Sequence, residues 1–230
     1  MSGAQESAPN YVQRVLGLAW PNLGMILVSS VIVCVGGIVV AFIGGGITPL
    51  SLTLWGVVVG PLFATLVAQI SEMLQTRSDL PVFSFFRYLG RAWKTGVGFG
   101  LIPAVTGSLL LIALDIWAQT KSWLPLVPAA VSGSVTVLAG LIYMVGVPLG
   151  FVLPRLNGRE LTLMGLHVAA RRPVPLLGAI ALIVIAVVVS AQFSTALILL
   201  LPGPLAVVLV SGVWTSAYSL GLIAEETEQP

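Results

Sequence analysis

The chain has 230 residues, of which 57% are hydrophobic and 8% are charged, and its mean hydropathy is +1.07. A soluble domain carries about 25% charged residues, so this chain cannot cover a water-facing globule and needs lipid as its solvent. A pI near 9.0 would indicate a nucleic-acid partner in a soluble protein. Here the basic residues lie between apolar runs, where they orient helices, so we expect no nucleic acid. The one cysteine, Cys34, excludes an intrachain disulfide and a thiolate metal cluster.

Six apolar runs follow one another along the chain, and about 20 residues are enough to cross a bilayer core. The runs cover residues 23–43, 52–74, 96–117, 124–153, 176–193 and 196–223. No charged residue separates the last two runs, so a count of five stays open. The sequence predicts an all-α, polytopic transmembrane bundle of about six spans. We expect a single domain over residues 11–223, between a polar tail at 1–10 and an acidic tail at 224–230.

The basic residues predict the orientation of these spans. Six alternating spans place both termini, the second-to-third loop and the fourth-to-fifth loop on one side. That side then carries nine of the ten basic residues, all except Lys121. Lys and Arg are enriched in cytoplasmic loops, so we expect a multi-pass plasma-membrane protein with cytoplasmic termini. Residues 1–10 lack the basic region of a signal peptide, so we expect the first span to insert the chain.

Three segments of mixed polarity each precede an apolar run, and they lie at residues 11–20, 85–93 and 161–170. Each contains an apolar residue followed by a glycine, and these glycines are Gly17, Gly90 and Gly165. We interpret the segments as amphipathic helices in the cytoplasmic interface. Their spacing suggests a threefold repeat of an interfacial helix plus a hairpin of spans; chance resemblance among short linkers is the alternative. The interfacial basic residues would be Arg87, Arg91, Lys94, Arg171 and Arg172.

Pairs of glycines four residues apart are the clearest packing signal in the apolar runs. They are Gly56 and Gly60, Gly96 and Gly100, and Gly146 and Gly150. Small residues at this spacing let helix backbones approach closely in lipid. We favour packing within one chain, and an oligomer interface is the alternative.

Residues that could support chemistry are few. Asp115 is the one acidic residue well inside an apolar run, but polar residues follow it closely, so we place it at the outer interface. His167 is the only histidine, and one histidine without thiolate or carboxylate neighbours is a poor metal site. The sequence has no hydrolase elbow, zinc helix or nucleotide loop. We therefore expect no enzyme, no metal and no cofactor.

Prolines interrupt four of the apolar runs, at Pro61, Pro103, Pro148, Pro202 and Pro204. Each frees a backbone carbonyl and can kink its helix. Broken helices flank substrate sites in transporters, although prolines also occur in membrane helices as structural features. They motivate an alternative hypothesis, that of a small permease or lipid-handling protein.

Two sets of motifs carry a family resemblance. The stretch Gly60-Pro61-Leu62-Phe63-Ala64 is followed, after a short polar link, by Phe83-Ser84-Phe85-Phe86-Arg87. Later, Leu153-Pro154 leads into an amphipathic stretch that ends in Arg172-Pro173. In these features, from about residue 15 to 223, the chain resembles the YesL-like family of small bacterial integral membrane proteins. The resemblance implies five or six spans in a bacterial plasma membrane and an accessory role around carbohydrate ABC import. It supplies no catalytic residues.

The leading hypothesis is therefore a non-enzymatic membrane accessory or structural subunit. Its expected partners are membrane lipid and either another membrane protein or a second copy of the chain. The glycine spacing and the basic interfacial segments motivate this hypothesis.

Overall fold

The computed structural model describes residues 15, 17–76, 80–81, 83–153, 156–171, 173–192 and 195–222. This part of the chain is all-helical and contains no strand. Its helices, in chain order, are α1 (Leu23–Ile43), α2 (Pro49–Thr76), α3 (Ser84–Thr120), α4 (Leu126–Val152), α5 (Gly158–Arg171), α6 (Val174–Gln192), a 3₁₀ helix (Thr195–Leu200) and α7 (Pro202–Ser219). The predicted tails at 1–10 and 224–230 lie outside the described residues.

Five helical segments among the described residues are long and apolar enough to cross a membrane. They are Leu23–Ile43, Pro49–Thr76, Ser84–Thr120, Leu126–Val152 and Ile198–Ser219. The predicted run at 176–193 coincides with α6, which has 19 residues and is not one of the five. The all-helical class and a multi-pass arrangement of apolar helices are confirmed, and the sixth span stays a prediction.

The first two helices form a tight hairpin. α1 ends at Ile43 and α2 begins at Pro49, where the missing N–H of proline costs no helical hydrogen bond. Gly45 and Gly46 in the connection have φ angles of 70° and 102°, which residues with a side chain rarely adopt. The glycines therefore end the first run where the sequence predicts.

The third run is longer than predicted. We expected an interfacial helix at 85–93 that precedes a span from about Gly96, but α3 is one helix of 37 residues, about 56 Å long. The predicted boundary is wrong because the buried face does not stop there: Phe85, Tyr88, Ala92 and Gly96 recur every three or four residues. This continuous stripe packs the first turns of α3 against α2 and keeps the helix intact.

The three segments of the predicted repeat lie in different structural settings. The first is described only at residue 15 and from 17 onwards, and residues 17–19 are helical. The second lies inside α3, whereas the third lies in α5, a separate helix of 14 residues. A Cβ atom on Gly17 or Gly90 would meet no atom within 4 Å, but one on Gly165 would lie 3.6 Å from the backbone nitrogen of Gly146. The threefold repeat therefore stays a prediction.

Helix α2 is the centre of the bundle. It contacts α1, α3, α4 and α7, and residues 64–71 are all buried. A helix that is buried on every side must satisfy its polar side chains internally. Gln69 does this: Ser29 Oγ donates to Gln69 Oε1 at 2.8 Å, and Gln69 Nε2 donates to Ser84 Oγ at 2.8 Å. One amide thus joins α1, α2 and the first residue of α3.

A second polar contact fixes the connection into α3. The side chain of Asn22 is buried, with 3% of its surface exposed. Its Nδ2 donates to the Leu18 carbonyl at 3.0 Å, and its Oδ1 accepts from the backbone N–H of Leu80 at 2.9 Å. The start of α1 is therefore tied to the chain that enters α3.

We expect Gly96→Ala to lower the apparent melting temperature in detergent. The added Cβ would lie 2.5 Å from Pro61 Cα, and this backbone atom cannot move aside as a flexible side chain could. Overpacking of this kind costs about 1–3 kcal/mol. The matched control is Gly90→Ala on the same helix, where the Cβ meets no atom within 4 Å. Equal melting temperatures for the two variants would contradict the packing described here.

We also expect Gln69→Leu to destabilise the fold by about 1–3 kcal/mol, because it leaves the buried hydroxyls of Ser29 and Ser84 without their partner. The control is Gln119→Leu, which removes an exposed hydrogen bond from Gln119 Nε2 to Asp115 Oδ2. That change should stay within about 0.5 kcal/mol. Chemical denaturation in mixed micelles measures both variants, and a tolerated Gln69→Leu would show that the amide is dispensable.

Candidate functional site

Four of the predicted packing glycines form the contact between α2 and α3. A Cβ on Gly56 would lie 2.8 Å from the carbonyl oxygen of Gly100, and a Cβ on Gly60 would lie 3.0 Å from that of Gly96. A Cβ at Gly56 would be closer to the backbone than real Cβ atoms come, and one at Gly60 would be tighter than most, so glycine permits this separation of the two helices. These glycine faces are therefore occupied by a contact within the chain.

The other two glycines connect α4 to its neighbours. A Cβ on Gly146 would lie 3.1 Å from the ring of Phe99 on α3, and one on Gly150 would lie 3.5 Å from Leu161 on α5. All six predicted glycines thus contact another helix of the same chain. Their positions leave no glycine pair of this set free to serve as an oligomer face.

The carbonyl groups of Gly60 and Pro61, at the proline of α2, both accept hydrogen bonds from side chains. The hydroxyl of Tyr143 on α4 donates to the carbonyl of Gly60 at 2.8 Å, directly before Pro61. Thr65 Oγ1 donates to the Pro61 carbonyl at 2.7 Å. Neither Tyr143 nor Gln69 was predicted as a contact residue, although a polar side chain inside an apolar run indicates an interhelical hydrogen bond.

The basic residues of α3 share one exposed face with aromatic side chains. At about 100° per residue, this basic-aromatic face covers an arc of about 160°, opposite the buried stripe. Its members are Phe83, Phe86, Arg87, Arg91, Trp93 and Lys94, all of which are exposed. Phe83 is 81% exposed and Phe86 is 64% exposed. The Arg87 guanidinium also donates to the hydroxyl of Tyr88 at 2.7 Å, which holds it along the helix.

The remaining predicted residues do not join this face. Arg171 is exposed at the last turn of α5, near the exposed His167. Arg172 lies outside the described residues. Asp115 is exposed towards the other end of α3, where it accepts the hydrogen bond from Gln119 at 2.9 Å. Among the residues that the structure describes, no group of three or more His, Cys, Asp or Glu side chains could hold a metal ion.

A groove of about 560 Å³ lies between three helices. Residues from 94 to 102 of α3 and from 135 to 142 of α4 line its sides, and residues from 156 to 162, at the start of α5, line one end. Most of the lining side chains are aliphatic, and Lys94 is the charged residue among them. The groove and the basic-aromatic face therefore meet at Lys94.

Comparisons with known proteins give no relative: no protein-family model, no curated protein and no solved structure matches the chain. The resemblance to the YesL-like family therefore stays a prediction from the motifs quoted above. The site has to be interpreted from its own geometry.

The orientation of α3 can be tested with single cysteines, since Cys34 is the only one to remove. In a Cys34→Ser background, we expect Lys121→Cys to react with a membrane-impermeant maleimide on right-side-out vesicles. Arg91→Cys should react only after permeabilisation, because the basic end of α3 is predicted to be cytoplasmic. Labelling of both positions from the same side would contradict a membrane-spanning α3.

Proposed function

We propose that the chain is a non-enzymatic integral membrane accessory subunit that holds a partner protein on the basic-aromatic face of α3. The observation that carries the proposal is the length of α3 together with the composition of that face.

The polar end of α3 sets its depth. Trp117 and Lys121 suit a membrane interface, and the Lys121 ammonium lies 5.5 Å from the centre of the Trp117 ring system. Counting about 20 residues back from Trp117 places the other edge of the hydrocarbon near Gly98. At about 1.5 Å per residue, Arg91 then lies about 10 Å beyond that edge and Arg87 about 16 Å beyond it. These two guanidinium groups therefore reach past the hydrocarbon into the headgroup layer and the water.

The chemistry of the face favours a protein partner. Arg and the large aromatic residues are enriched in the cores of protein interfaces, and a few of them usually carry most of the binding energy. Membrane anchoring alone would explain Trp93 near the bilayer, but it gives no reason for Phe83 and Phe86 further out on the helix. The complementary surface would be acidic with apolar pockets. The resemblance to the YesL-like family makes a carbohydrate ABC transport complex the first partner to test.

The groove supports a second candidate function, that of a lipid-handling protein. A permease for polar solutes would need a polar path through the bundle. The groove is instead lined mainly by aliphatic side chains. Its geometry favours lipid over a polar solute.

The test is affinity purification of the full chain from native membranes in mild detergent. We expect the wild type to retain a stoichiometric partner that dissociates as the salt concentration rises, because exposed charges are screened. Arg87→Glu with Arg91→Glu should lose this partner. The control, Arg159→Glu with Arg171→Glu, reverses two exposed charges on α5 and should retain it. Binding should then be reproduced with the two purified proteins.

Two results would contradict the proposal. One is a monodisperse monomer of the wild type with no partner. The other is equal loss of the partner in both double variants, which would indicate a non-specific effect of net charge.

A further inference from the structure

The groove exists because small residues lie between larger ones. Gly98 contributes no side chain to it, and a Cβ at that position would meet no atom within 4 Å. The ring of Phe99, one residue later, packs against Gly146 on α4. Aliphatic side chains such as Ile102 and Leu138 form the remaining wall. The result is an apolar groove along the surface of the bundle.

Helix α5 lines one end of this groove because it folds back along α4. Leu161 of α5 lies by Gly150, whereas Gly165 lies by Gly146, which is one turn earlier in α4. The two helices are therefore antiparallel over this contact, and the N-terminal end of α5 reaches the groove beside Lys94. The hydroxyl proton of Thr162 is not available to a ligand, because Oγ1 donates it to the Gly158 carbonyl at 2.8 Å.

The ammonium group of Lys94 lies at the end of the groove that α5 lines. Its side chain is exposed, and it makes no hydrogen bond or ion pair with any residue in the described part of the chain. Glu160, the nearest acidic residue in sequence to this end of α5, accepts a hydrogen bond from the Asn157 N–H at 2.9 Å and does not line the groove. Within the described residues, no acidic group competes with a bound anion for this ammonium.

The dimensions fit the phosphate and the first part of one acyl chain. From Lys94 to Ile102 the groove extends about 12 Å along α3, from about 6 Å outside the hydrocarbon edge near Gly98 to about 6 Å inside it. The volume of about 560 Å³ lies within the usual range for small-molecule sites, about 300–1,000 Å³.

We propose that this groove is a binding site for an anionic phospholipid, with an acyl chain along α3 and α4 and the headgroup phosphate against Lys94. The predicted orientation places Lys94 at the cytoplasmic leaflet, where anionic lipids attract basic residues. Lys94 belongs both to the groove and to the basic-aromatic face. The lipid test uses the purified chain without a partner protein, so the two proposals can fail separately.

Native mass spectrometry of the purified full chain tests the proposal. The protein is mixed with equal amounts of dioleoyl phosphatidylglycerol and dioleoyl phosphatidylcholine, and the retained lipids are counted. We expect one tightly held phosphatidylglycerol in the wild type. Lys94→Gln should reduce the preference for phosphatidylglycerol about fivefold. The chain has only one other lysine, so Lys121→Gln is the matched control and should keep the wild-type preference.

A second pair of variants tests the apolar part of the groove. Gly98→Leu places a side chain in open space inside the groove and should abolish retention of both lipids without unfolding the protein. Gly140→Leu on α4 also enters open space but does not line the groove, so it should bind like the wild type. Melting temperatures of the two glycine variants verify that each is folded.

Three outcomes would overturn the proposal. The first is equal retention of the two lipids by the wild type. The second is the same loss of preference in Lys94→Gln and Lys121→Gln. The third is a folded Gly98→Leu that still retains phosphatidylglycerol.

Discussion

The backbone contact between α2 and α3 is the constraint on which the other helices depend. In lipid, apolar side chains gain nothing by leaving one hydrocarbon environment for another, so helices associate through close packing and interhelical hydrogen bonds. The glycines at 56, 60, 96 and 100 supply the close packing, and Gln69 supplies buried hydrogen bonds to both sides of α2. Once this pair is fixed, α2 becomes the axis against which α1, α4 and α7 pack.

The basic-aromatic face follows from the same contact. The glycine stripe of α3 continues towards the N-terminus as Ala92, Tyr88 and Phe85, so one side of the helix stays packed on the bundle as far as its first turn. The opposite side is then exposed with its arginines and aromatic rings in a fixed array. A flexible loop with the same residues would lose more conformational entropy on binding than this helix does.

The sequence was sufficient for some of this structure, for reasons that differ from element to element. Long apolar runs predict helices because backbone polar groups in lipid must be satisfied within the helix, and the Gly45-Gly46 turn is set by local conformational preference. The N-terminal boundary of the third helix was predicted wrongly because residues 84–94 are amphipathic. Only their contact with α2 shows that they belong to α3. The groove could not be predicted, because it depends on the return of α5 along α4, a long-range contact that no local pattern encodes.

The uninterrupted course of α3 has a mechanical consequence. Its contact with α2 runs from Ser84, whose Oγ accepts from Gln69 at 2.8 Å, past Pro103 to Ser108, whose Oγ donates to the Pro49 carbonyl at 2.7 Å. Pro103 has no N–H to donate to the Phe99 carbonyl, but α2 contacts the helix on both sides of this break, at Gly100 and at Ala104. Force applied at Arg87 would therefore move α3 and α2 together as one rod, and the displacement would reach the other end of α3.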